Sequence, residues 1–224
     1  MKRTIILTCI IVTVLSLKSQ EEMRMFNHIK NGNVVRSIPI SEIDSITFST
    51  GVMINGILWA TCNVDMPGTF AATPSELGMF YQWNRRVGWS STDPMINSNG
   101  GTTWDGSIPP IYNPSLEAND PCPPGWRVPY GHEQQLLINS GSFWGELNGV
   151  PGRFFGSGEQ KVFFPAAGYR YCIDGRLHNV GNYGSYWGNQ GAGDIAALLY
   201  FFDLHTDIDY NLRSFGNSVR CVAE

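Results

Sequence analysis

The sequence predicts an α+β fold in which short antiparallel strands outnumber two short helices and are joined by long loops. Three observations predict it. From residue 51 onward, short apolar runs alternate with Gly, Pro, Asn and Ser clusters, with no fixed-period repeat. The 224 residues include 25 Gly and 13 Pro, with 15% charged and 12% aromatic side chains, a composition of turns and ring contacts rather than long amphipathic helices. Helix signals are few and do not alternate with strands in the order that a parallel sheet requires. A hydrophobic share of 42% is enough to fill one core.

Residues 1–19 read as a signal peptide. Lys2 and Arg3 precede an apolar run over residues 4–15, and Ser16 and Ser19 offer small side chains for cleavage. The run is short for a bilayer span, and no later segment is expected to cross a membrane. The expected location is therefore secreted or extracellular, at the cell surface. Loss of Lys2, Arg3 and Lys18 leaves 12 of the 15 basic residues against 19 acidic ones, so the exported chain carries a net charge near −7. Phosphate-backbone partners reward clustered Lys and Arg, and nucleic acid is not an expected ligand. Four of the five cysteines remain, Cys62, Cys122, Cys172 and Cys221, and in an oxidising compartment they imply two disulfides with three pairings open.

Residues 20–50 form a separate segment. The runs around Phe26 and Val35 flank Asn31-Gly32, which tolerates the positive φ of a tight turn, and predict a β-hairpin over residues 23–38. Ser41-Glu42-Ile43-Asp44 is expected to cap one helical turn before a strand at 45–49. A lone hairpin is marginal in water, so this one is expected to pack on the main domain or to pair with an assembly partner.

Residues 51–224 make the main domain. Ile54-Asn55-Gly56-Ile57-Leu58-Trp59-Ala60 predicts a hairpin or a strand entry, and Thr73-Pro74-Ser75-Glu76 predicts a helix start leading into residues 77–83. Residues 87–119, with Trp89 and Trp104, read as long surface loops. A second helix is expected over 130–139, followed by strands at 161–164, 168–172, 196–204 and 218–222.

Three segments in this order resemble the Fibrobacter succinogenes major paralogous domain family of secreted bacterial proteins. They are Asp120-Pro121-Cys122-Pro123-Pro124-Gly125-Trp126-Arg127-Val128-Pro129, Phe164-Pro165-Ala166-Ala167-Gly168-Tyr169-Arg170 and Ser218-Val219-Arg220-Cys221-Val222. Trp59-Ala60, Gly78-Met79-Phe80-Tyr81-Gln82-Trp83 and Gly184-Ser185-Tyr186-Trp187 are similar to the family as well. Residues 38–48 resemble a leader found ahead of Bacteroides-type surface domains. The resemblance implies a C-type-lectin-like fold, related to the formylglycine-generating enzyme core, and a Cys122–Cys221 bridge to the last strand. The family pattern is basic at position 62 and lacks cysteine at 172, so Cys62 and Cys172 read as a pair gained together and a second bridge between them is expected.

Catalytic signals are thin. His132-Glu133 opens like a zincin helix, but position 136 is Leu, which removes the second metal ligand. Gly191-Ala192-Gly193 reads as a glycine turn, because the following run is strand-like and a dinucleotide site needs a helix there. Asp203, Asp207 and Asp209 cluster around His205 with loop-like spacing. They read as solvated charges, with a glycosidase pair or calcium ligands as the alternatives. Asp93 with Asn97 and Asn99 is a further candidate calcium set. No catalytic residue, metal site or cofactor is assigned. Trp126 and Trp187 are expected in the core, whereas Trp89 and Trp104 are the candidate ligand-binding residues, as loop indoles able to stack on a sugar or a protein partner. The expected function is non-catalytic binding or adhesion toward a glycan or protein. A secreted carbohydrate-active enzyme and a pilus-type subunit are the alternatives.

Overall fold

The computed structural model describes residues 25–30, 33–39, 51–109 and 116–224. The expected signal peptide and the elements expected over 41–49 lie outside them. The chain divides into two compact units, Met1–Ser49 and Thr50–Glu224. In the first, β1 (Met25–Lys30) and β2 (Asn33–Pro39) pair antiparallel on either side of Asn31-Gly32, with a register shift between His28 and Ile29.

The second unit is β-rich, with two helices and four small sheets among its described residues. One contains, in order, β3 (Gly51–Ile54), β4 (Ile57–Ala60), β17 (Val222–Ala223) and β7 (Trp126–Arg127). Of the two readings of residues 54–60 the hairpin forms, and its turn is Asn55-Gly56, both at positive φ (49° and 82°). A five-stranded sheet runs β12 (Leu177–His178), β11 (Tyr169–Arg170), β16 (Gly216–Asn217), β5 (Phe80–Gln82), β6 (Gly88–Trp89). The remaining two are meanders, β8 (Ser142–Leu147), β9 (Val150–Ser157), β10 (Gln160–Pro165), and β13 (Gly184–Ala192), β14 (Ile195–Phe202), β15 (His205–Leu212). All the strand pairings described are antiparallel.

Helix α1 (Leu116–Asn119) is a single turn, and α2 (Gly131–Asn139) is the helix expected over 130–139. Tyr130 enters α2 in extended conformation, and its N–H donates to Glu133 Oε2 at 2.7 Å. Gln134 ties the helix inward, its Nε2 donating to the carbonyls of Tyr186 and Trp187. No helix among the described residues is long and apolar enough to cross a membrane.

The helix expected over 77–83 does not form. Gly78 takes φ +67°, where a Cβ would lie 2.3 Å from the Val64 carbonyl oxygen, and the chain continues as strand β5 with all three side chains buried. The strand expected over 218–222 is interrupted as well. Ser218 N–H donates to Ser185 O and Val64 N–H to Val219 O, so this stretch crosses from the five-stranded sheet to the four-stranded one.

The core consists of three apolar clusters, centred on Trp59, Phe155, Phe164 and Phe201, on Tyr81, Trp83, Trp126 and Trp187, and on Phe80, Trp89 and Trp104. Two buried arginines hold the irregular chain between them. Arg220 donates from Nε and Nη2 to Asn63 Oδ1 and from Nη1 to the carbonyls of Ala60 and Thr61, with its guanidinium 4.4 Å from the Phe164 ring centre. Arg170 donates to the carbonyls of Ser90, Gly175 and Thr92. Loops lack a ladder to satisfy buried carbonyls, and a five-donor guanidinium serves several at once.

Cys122 and Cys221 are bridged, with Cα atoms 6.1 Å apart and a sequence separation of 99. The second expected bridge is not formed: Cys62 and Cys172 are free, buried thiols. Each is held in its own neighbourhood. Cys62 follows β4, whose Ala60 N–H donates to Cys221 O, whereas Cys172 sits in the β11–β12 turn with its carbonyl accepting from Trp104 Nε1.

Candidate binding face

Among the described residues, the largest connected set of partly exposed rings runs from β11 and β12 through Tyr183 to β14 and β15. Tyr169 stacks on His178 at 5.6 Å, within 9° of parallel, and meets Tyr183 and Phe215 edge-on at 5.9 and 5.7 Å. Tyr171 touches His178 and Phe215 at 5.5 Å. Tyr183 stacks on Tyr200 at 5.9 Å, and Tyr200 OH lies 3.0 Å from His205 Nε2. The five tyrosine and phenylalanine rings are half-buried, and both histidines are exposed.

Strand register brings acids to the same face. Asp207 lies opposite Tyr200, and Asp209 opposite Leu198, two residues away on the same side of β14. Asp207 Oδ1 accepts the N–H of Ile208 at 2.8 Å, and Asp209 Oδ1 that of Tyr210 at 2.7 Å. Burial raises the Tyr200 phenol above its ordinary pKa, and Asp207 and Asp209 raise it further. Tyr183 is raised by burial, then by Tyr200, Asp209 and Tyr169. Rings and carboxylates therefore share one electrostatic environment.

The backbone that carries Tyr169 depends on Gly168. It holds φ +73°, and a Cβ there would sit 2.2 Å from the His178 carbonyl oxygen. Only glycine lets β11 and the 179–180 turn approach this closely.

Trp89 and Trp104 are not exposed platforms. They are 3% and 9% exposed, their rings 4.9 Å apart, and Trp104 Nε1 donates to Cys172 O at 2.9 Å. Their hydrophobic area wins over solvent exposure, and they pin the 87–109 segment onto Phe80 and Ala167. Trp126 and Trp187 are buried.

The Asp207 and Asp209 spacing is strand alternation, not a loop, and Asp203 sits in the turn before β15. Asp93 lies 3.6 Å from Arg170 Nη1, and Asn97 Oδ1 accepts the N–H groups of Asn99 and Gly101, so that side chain builds its own turn. His132 stacks on Tyr130, and Glu133 pairs with Arg127 through two bonds of 2.8 and 2.7 Å. Among the described residues, no group of three or more His, Cys, Asp or Glu side chains could hold a metal ion.

Sequence reasoning missed Tyr169, Tyr183, Tyr200 and His178. Their one signal was Tyr200 in a run of buried apolar residues facing the Asp-x-Asp alternation at 207–209. No family model, curated protein or solved structure matches the chain.

Proposed function

We propose that this chain is an exported, cell-surface binding domain of C-type-lectin-like architecture that recognises a glycan through the Tyr169, Tyr183 and Tyr200 face. The single observation that carries the reading is the joined row of half-buried rings with Asp207 and Asp209 beside it. A pyranose presents a flat C–H face that packs on an aromatic ring, while its hydroxyls donate to carboxylates and phenols at the rim. The half-buried rings lose little side-chain freedom on binding, because their neighbours already hold them. The ordered family-like segments and the basic, apolar start of the sequence support the architecture and the export.

A glycan array probed with the purified protein tests this. Tyr183→Ala and Tyr200→Ala are each expected to weaken every glycan hit by tenfold or more, about 1.4 kcal/mol. Hits unchanged by both variants would place recognition elsewhere. Hydrolysis of a bound polysaccharide, lost in Asp207→Ala, would replace binding with catalysis.

A further inference from the structure

The binding face has an uncompensated charge. Asp207 and Asp209 each use one oxygen on the N–H of the next residue, and their second oxygens have no hydrogen-bond partner among the described residues. Asp203, at the adjoining turn, is not part of this surplus, because the buried Arg153 lies against it: its Nη1 donates to the carbonyls of Phe202 and Asp203 and its Nε to Ser142 Oγ, and its charge couples to the Asp203 carboxylate. Arg176, beside His178 in sequence, pairs with Asp174 at 3.3 Å. Tyrosine rings add negative π faces beside these acids, an arrangement that attracts a cation and repels an anion.

Resting on the glycan-binding reading above, we infer that the preferred ligand of this face is a glycan bearing protonated amines, of the glucosamine type. A sugar ring lying on the tyrosine row would carry its amino group at the ring edge, toward the carboxylates of β15. An ammonium donates three hydrogen bonds and accepts none, which suits outward carboxylate oxygens that only accept. Charge-assisted bonds of this kind are stronger than those of a neutral hydroxyl, so the amine discriminates as well as binds. Uronic and sialic acids bring like charge to the same place and are disfavoured.

Calorimetric titration with a glucosamine oligomer, the matching N-acetylglucosamine oligomer and a uronic acid oligomer tests the inference. The free amine is expected to bind about tenfold tighter than its N-acetyl form, with the uronic acid weakest. Asp207→Asn with Asp209→Asn should abolish that preference, weakening the free amine form more than the N-acetyl form, while the strand is kept because Asn Oδ1 still accepts the next N–H. As an independent check on the wild-type protein, the preference should shrink in high salt, which screens charge and leaves ring stacking. Equal binding of the two glucosamine forms, or a preference unaffected by both the substitutions and salt, overturns the inference and leaves the glycan reading standing. If the wild-type protein binds none of these oligomers and no glycan on the array, both fall together.

Discussion

Arg220 shows how a single side chain can stand in for regular structure. Its guanidinium is fully buried with no carboxylate partner among the described residues, and burial pulls its pKa down to about 10, which leaves it charged at neutral pH. The charge is held by oxygen dipoles at 2.7 to 3.0 Å from Asn63, Ala60 and Thr61. Arg220→Met removes the charge but strands those buried acceptors, and a cost of about 3–5 kcal/mol in urea unfolding is expected. A loss below about 1 kcal/mol would show that water replaces the guanidinium. Trp89 and Trp104 give the opposite lesson at the same scale. Their sequence context of turn formers suggested exposure, yet nothing in a local sequence shows that Phe80 and Ala167 will cover them.

At the scale of elements, α2 and the strand before it form one unit through Arg127 and Glu133. Burial pushes the Glu133 carboxyl up, but two hydrogen bonds from Arg127 and one from the Tyr130 N–H outweigh it and leave the group below its ordinary pKa. A carboxyl depressed in the fold stabilises above its unfolded pKa, about 4.3, and loses that contribution as pH falls through the folded value. Glu133→Gln should therefore cost about 1–2 kcal/mol at pH 7, and the gap to wild type should close in acid. A gap that stays constant across a pH series of urea melts would mean that the pair contributes nothing through its charge. Elements with a local cause were legible: both Asn-Gly hairpins, α2 and most of β14. The helix expected over 77–83 was not, because Gly78 answers to the Val64 backbone, a contact set by tertiary packing.

For the molecule as a whole, the Cys122–Cys221 bridge ties the last strand to the Pro-Gly-Trp segment across 99 residues. Closing so long a loop restricts the unfolded chain, and the paired substitution Cys122→Ser with Cys221→Ser should cost about 2–5 kcal/mol. Reduced and oxidised protein unfolding at the same urea concentration would contradict this. The β-rich architecture followed from short apolar runs broken by turn formers, and this bridge from what the family resemblance implies. The candidate face did not, because it is assembled from residues 169–215 across two sheets, and no single window of sequence contains the Tyr183 contact with Tyr200. Cys62 and Cys172 show the limit of counting. An even number of sulfurs says nothing about whether two of them can meet.

The crossing at 218–221 sets how this scaffold can diversify. Four consecutive buried residues there serve three neighbours at once: Ser185 on one sheet, Val64 beside another, and the sulfur of Cys122. The tyrosine row is carried elsewhere, on β11, on β14 and on the residue before β13, and its rings make none of those bonds. On the proposed reading, ligand preference would be rewritten by exchanging one ring or carboxylate of the row at a time, while those four positions stay fixed as the keystone.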